Sequence, residues 1–275
     1  MKPRKPVFGL AYIEETVLAF EICMENQGER PLSQELLWAR DVLQEFFSKV
    51  DSQGNPLLRQ CKDRYESALK GVQDHCQPST AQQATRKIPY RRDLSSRPVT
   101  PDAFRALCIK RRSVRWFLDK PVPRQRVDEA ILSGTLSPSA CNRQPFSFRI
   151  FDDPEKVQAV ASIPMGTKGF CQNFSMIAVV VGELSAYSHE RDRHVIYVDA
   201  ALATMGFTLA LETEGLSSCV INWPDIEEKE QAMQRALSLR TDERVIMLVA
   251  IGWPDPEECV PYSQKKELEC IRSYN

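Results

Sequence analysis

Apolar residues recur along this chain in two rhythms, one helical and one alternating, separated by a polar stretch. In residues 12–24, Ile13, Val17, Phe20, Ile22 and Met24 lie between acidic residues. In residues 33–50, Leu36, Leu37, Val42, Leu43, Phe46 and Phe47 fall at spacings near 3.6. Both stretches predict helices, the second capped by Ser33. Residues 62–72 predict a third, shorter helix. From residue 74 to 97 Gln, Ser, Thr, Pro and Arg take over and apolar residues thin out, the composition of a linker or extended arm.

From residue 98 onward, helix and strand signals interleave. Thr100-Pro101-Asp102 is a helix start, with Phe104, Leu107 and Cys108 at core spacing and an end near Lys110. Val122-Pro123 opens a helix carrying Val127, Ala130 and Ile131, stopped by Gly134. Residues 146–151 alternate with period two, predicting a strand with one wet face. Asp153-Pro154 starts another helix. Residues 176–181 form a continuous apolar strand, expected to be buried on both faces. Residues 194–214, with Val195, Ile196, Val198, Leu202, Met205, Leu209 and Leu211, make the longest helix, and Gly215 is placed to stop it. A short strand at 219–221, a helix at 225–239 and a last strand at 245–251 follow, then the turn Gly252-Trp253-Pro254 and a tail. There is no internal repeat. The class is α+β, a helical extension and linker over residues 1–97 ahead of a helix-flanked sheet domain over 98–275.

Charge narrows the function. Lys+Arg number 36 against 37 Asp+Glu, a net charge of -1 over 275 residues. That balance argues against nucleic-acid or membrane partners, so any cationic site is local. The 9 cysteines are scattered without a Cys-x-x-Cys pair, and read as reduced thiols, mostly core fillers, in a cytoplasmic protein. The stretch after Lys2, Arg4 and Lys5 is broken by Glu14 and Glu15, unlike a signal peptide. No run approaches the roughly 20 apolar residues of a membrane span.

Two segments stand out chemically. Arg111-Arg112-Ser113-Val114-Arg115 packs three guanidinium groups and a hydroxyl into one stretch. Arginine forks match phosphate oxygens, and like charges this close favour an anion. The plainer alternative is a solvated charge run paired with Asp119, Asp128 or Glu129. The second segment, Ser137-Pro138-Ser139-Ala140-Cys141-Asn142-Arg143-Gln144-Pro145, is a turn-rich loop leading into a strand. Asn142 and Gln144 offer both donors and acceptors, as a pyrimidine edge requires. Alone it would be an ordinary connection; with the arginines it suits a phosphate and a flat hydrogen-bonding ring, which points to a flavin. There is no Gly-x-Gly-x-x-Gly, phosphate-binding Walker loop or Gly-x-Ser-x-Gly elbow. The three histidines assemble no catalytic triad, and residues 189–194 read as a solvated helix start rather than a metal site.

These segments together resemble the FMN-dependent nitroreductase family. The likeness continues through Gly166-Thr167-Lys168-Gly169-Phe170, Asp199-Ala200-Ala201-Leu202, Gly215-Leu216-Ser217-Ser218-Cys219 and Ile251-Gly252-Trp253-Pro254, and ends at Tyr262-Ser263-Gln264-Lys265-Lys266. With its helical extension, the chain is similar to nitroreductase-like proteins found among bacterial polysaccharide-biosynthesis genes. The resemblance implies a small, mainly antiparallel sheet flanked by helices. It assigns the FMN phosphate and ribityl chain to Arg111, Arg112 and Ser113, and the pyrimidine edge to Arg115. Pro138, Ser139, Ala140 and Asn142 would line the ring with support from Gln144, and in the family this loop commonly comes from the second subunit of a homodimer. Ser218 and Cys219 would turn backbone groups to the flavin N5 region, and Lys265 or Lys266 would add a cation at the phosphate. The expected activity is hydride transfer from NAD(P)H through N5 to a small oxidised acceptor, nitroaromatic or quinone, with no dedicated side-chain acid or base. Alternatives are an FMN-dependent dehydrogenase or dehalogenase, and a flavin-binding interaction module with little turnover.

Overall fold

The computed structural model describes residues 5–27, 31–70 and 86–275. The chain divides into two compact units, Met1–Ser96 and Arg97–Asn275. Residues 71–85, which hold the end of the expected third helix, the first half of the expected linker and Cys76, lie outside the described residues.

The first unit holds three helices, α1 (Ile13–Gln27), α2 (Gln34–Lys49) and α3 (Pro56–Leu69). Ser33 accepts from Leu36 N–H at the start of α2, the cap expected for it. The third helix begins six residues before its sequence-based expectation, because Asn55 caps it and Pro56 opens its first turn. Ile13, Val17, Phe20, Leu43, Phe47, Leu58, Cys61 and Tyr65 make its core. Burial pushes the Tyr65 phenol up to about 12.

The second unit contains α4 (Pro101–Lys110), α5 (Arg124–Thr135), β1 (Phe146–Phe151), α6 (Pro154–Ala161), β2 (Met176–Glu183), α7 (Val195–Thr213), β3 (Ser217–Asn222), α8 (Glu227–Leu237) and β4 (Glu243–Gly252). The four strands form one antiparallel sheet in the order β1-β2-β4-β3. Alternate residues of β2 feed opposite faces, as the pleat requires. Ile177, Val179 and Val181 join a core with Val157 and Val160 of α6 and Met233 and Leu237 of α8. Met176, Ala178 and Val180 join another with Val127 and Ala130 of α5 and Ile196, Phe207 and Leu211 of α7.

The structure departs from the sequence pattern at several points. Every residue of β1 is half-buried, so neither face is simply wet. Phe146, Phe148 and Ile150 pack on the α5–α7 side, while Arg149 reaches the Leu237 carbonyl at 2.9 Å and the buried Glu243 carboxylate at 2.6 Å. Gly134 does not stop α5; it is buried within it. No residue of α4 is buried, and Phe104 is exposed. Of the described cysteines only Cys61 and Cys219 are buried, so core filling does not account for most of them. Finally, the stretch Glu190–Thr213 is long and apolar enough to span a membrane by length and composition alone, with 44% of its most apolar window buried. Its buried residues, Ile196, Asp199, Ala200, Ala203, Thr204, Phe207, Thr208, Leu211 and Glu212, recur at helical spacing against the sheet, the signature of a core helix. Tyr197, Val198, Leu202 and Met205 leave an apolar outer face exposed.

Candidate functional site

The arginine segment leaves the C-terminus of α4 and runs alongside the free edge of β3. Val114 N–H donates to the Ser218 carbonyl at 3.0 Å, and Ser113 pairs with Ser218 in a parallel bridge. This brings Arg111, Arg112, Ser113 and Arg115 beside Ser218 and Cys219, which lie about a hundred residues on. Cys219 is only 2% exposed, and burial raises its thiol above the ordinary range. Its side chain belongs to the core, so only backbone at this position can face a ligand.

The three guanidiniums have different surroundings. Arg112 Nη1 donates to the carbonyls of Arg111 at 2.8 Å and Cys108 at 3.4 Å, capping the negative end of α4. The Arg115 guanidinium stands 5.7 Å from the centre of the Phe170 ring. Arg111 Nε is buried without a hydrogen-bond partner, the one such side-chain nitrogen or oxygen among the described residues. A buried donor left unmade is costly, and an anion beside it would satisfy both its charge and its N–H. That donor chemistry fits the phosphate of FMN.

The amide-bearing loop is built differently. Cys141, Asn142 and Gln144 all have left-handed backbone, with φ 53°, 54° and 50°. The turn is closed by Asn142 N–H to the Ser139 carbonyl and Gln144 N–H to Ser139 Oγ, both at 3.0 Å. The Asn142 and Gln144 side chains touch at 3.5 Å and are exposed, as is Pro138, while Ser139 and Ala140 are half-buried. Two bonds tie the loop to α7: Ser137 Oγ to the Leu202 carbonyl and Ala140 N–H to Asp199 Oδ2, each 3.1 Å.

The sequence alone assigns Asp199 and Glu212 no role, although acids within an apolar helical run are a signal of their own. Glu212 is 4% exposed and accepts from Ser217 Oγ at 3.0 Å. Burial raises its carboxyl above the usual range, against the opposing pull of the Ser217 hydroxyl, Lys110 and Arg111. Arg111 therefore belongs with the Glu212 end of α7 and the amide loop with the Asp199 end. Thirteen residues separate these two anchors, about 20 Å of helix. Among the described residues, no hydrogen bond, ion pair or ring contact joins the two segments.

Lys265 and Lys266 are exposed in the tail, and Lys265 Nζ donates to Ser263 Oγ at 2.8 Å. Among the described residues, no hydrogen bond joins positions 260–275 to the rest of the chain.

A sequence model of the nitroreductase family matches residues 109–167 and 164–253, more than half of the chain. An Archaeoglobus fulgidus protein provisionally named NADH dehydrogenase/NAD(P)H nitroreductase is 26% identical over 55% of this chain and 87% of its own length. Human iodotyrosine deiodinase 1 is 21% identical over 61% of this chain and 67% of its own. The solved structure of an FMN-dependent nitroreductase from Clostridium difficile superposes with a TM-score of 0.54 at 22% identity, covering 62% of this chain and 98% of that one.

Proposed function

The chain belongs to the nitroreductase family of oxidoreductases, and from that premise we propose that it binds FMN and reduces a small oxidised acceptor at the expense of NAD(P)H. The observation that carries this reading is the buried, partnerless Arg111 Nε in a segment fastened to β3. Arg111 and Ser113 would hold the phosphate, with the remaining donors of Arg112, and Lys265 or Lys266 would add charge once the tail folds over the site. Arg115, set over Phe170, would face the pyrimidine edge and favour negative charge there. Asn142 and Gln144 would hydrogen-bond the ring edge, and backbone at Ser218 and Cys219 would approach its central ring. Bound FMN would supply the redox chemistry, accepting hydride from NAD(P)H and passing electrons to a nitroaromatic- or quinone-like acceptor. Proton delivery requires no dedicated side chain, because water can supply the proton.

Two features support a homodimer with shared sites. The arginine segment and the amide loop lie towards different ends of α7, and Tyr197, Val198, Leu202 and Met205 leave an apolar face uncovered beside exposed Leu132 and Leu136. A two-fold partner would cover that face and offer its loop to the arginines.

The test is direct. Purified protein should be yellow, its heat-released chromophore should have the mass of FMN, and NADH or NADPH should bleach the visible band rapidly. A colourless protein that takes up no added FMN overturns the proposal. The deiodinase relatives favour one second reading, reductive dehalogenation on the same flavin. FMN binding without bleaching by either nucleotide, together with halide release from halogenated phenols under chemical reduction, would establish that reading instead.

A further inference from the structure

The amide loop has a backbone shape that Cys141 and Gln144 do not favour. Three of its residues, Cys141, Asn142 and Gln144, are non-glycine residues in left-handed backbone. Such strain persists only where the surroundings over-determine it. The bonds closing the turn, from Asn142, Arg143 and Gln144 N–H to Ser139 and Ala140, lie within the loop. They fix its internal shape without fixing its position.

Position comes from outside. Asp199 is 3% exposed in the middle of an apolar stretch of α7. Its Oδ2 accepts from Ala140 N–H at 3.1 Å and from Tyr187 OH at 2.7 Å. Tyr187 in turn lies 5.5 Å beneath the Arg143 guanidinium, whose Nη1 donates to the Ala186 carbonyl at 2.7 Å. Burial first, and then the bond to Asp199, hold the Tyr187 phenol in its protonated, donating form by raising its pKa. One carboxylate oxygen thus gathers the loop's backbone and a side chain that braces the loop's next arginine. A buried acid needs such donors.

We propose that Asp199, with Tyr187, is the positioning residue of the flavin loop: it sets where the Asn142 and Gln144 amides stand and so governs how tightly the ring edge is gripped. The inference rests on the FMN reading above. It assigns Asp199 no contact with the cofactor and no part in proton transfer.

The experiment is a double-mutant cycle on FMN affinity with the full chain, comparing wild type, Asp199→Ala, Asp199→Asn, Tyr187→Phe, Asn142→Ala and the pairs of each Asp199 variant with Asn142→Ala. Asp199→Ala should weaken FMN about tenfold or more, the scale of a buried donor left without its acceptor. Tyr187→Phe should weaken it less, because the Ala140 bond survives. Asn142→Ala should cost markedly less in the Asp199→Ala background than alone, since a displaced loop no longer presents that amide. A merely structural acid would leave the Asn142→Ala penalty unchanged. Amide exchange should show Ala140 deprotected in Asp199→Ala while the amides of α7 stay protected. Should Asp199→Ala fail to fold, Asp199→Asn keeps an acceptor oxygen and should show the same non-additivity at smaller size. Additive penalties, or FMN affinity in both Asp199 variants within about twofold of wild type, a difference too small for a lost bond, overturn the inference while leaving the FMN reading intact. If the wild type itself binds no FMN, both fall together.

Discussion

Gly134 of α5 and Ala203 of α7 meet backbone to backbone: a Cβ built on Gly134 would stand 2.8 Å from the Ala203 carbonyl oxygen and 3.1 Å from Phe207 Cβ. The glycine is what allows the two helices to pack this closely. Gly134→Ala should therefore destabilise the second unit by about 1–3 kcal/mol, the cost of overpacking, despite alanine's better helix propensity. Urea denaturation followed at the fluorescence of Trp253 and its neighbours measures it. An unchanged or raised midpoint would show that α5 and α7 separate without penalty.

Arg111→Ala should weaken FMN binding by about 1.5–3 kcal/mol, the range for a hydrogen bond to a charged group. Titration of apoprotein with FMN, read by quenching of flavin fluorescence, gives the change. Arg112→Ala should cost part of its loss through the end of α4, because Nη1 of that residue is bonded to helix carbonyls. If the Arg111 variant retains wild-type affinity after extensive dialysis, the phosphate assignment is wrong.

Glu212 predicts a pH dependence. Burial raises its carboxyl in the folded protein. A carboxyl whose folded pKa is raised contributes stability that is present below its unfolded pKa and is lost as the pH climbs through the folded value. Glu212→Gln keeps the neutral form, and its amide oxygen can still accept from Ser217. The variant should match wild type at about pH 3.5, below the ordinary glutamate range, and exceed it at about pH 7.5. Equal differences at both pH values would remove Glu212 as the cause.

The uncovered face of α7 can be tested through oligomeric state. Leu202→Glu with Met205→Glu places charges on outward positions that are 44% exposed in the single chain, where they should not disturb folding. Light scattering should report a dimer for wild type and a monomer for the double variant, with loss of bound FMN in the monomer. A wild-type monomer that binds FMN fully would end the shared-site account.

Legibility in the sequence tracked the range of the interactions involved. The α4 start was readable because Thr100 and Pro101 act on the next turn, and Thr100 indeed accepts from Ala103 N–H. The α3 start has an equally local signal in Asn55-Pro56, whereas the apolar spacing points downstream to residue 62. A helix stop and a close approach use the same residue at Gly134, and only the partner helix distinguishes them. The arginine segment and the amide loop were visible as chemistry. Their supports were not: Val114 bonds Ser218 across the edge of a sheet, and Ala140 bonds Asp199 59 positions away. Local pattern cannot announce such pairings. The acids at 199 and 212 were legible as anomalies in an apolar run, yet nothing nearby in sequence says what they hold.

The spacing of the two anchors along α7 has an arithmetic consequence. If each pocket draws its cations from one copy and its amides from the other, defects in the two segments complement rather than compound. Mixing Arg111→Ala chains with Asn142→Ala chains would yield hybrid pairs in which one pocket carries both lesions and the other carries none. Two weakly binding preparations, unfolded and refolded together, would then regain up to about a quarter of the native pockets, the yield of random pairing between equal pools.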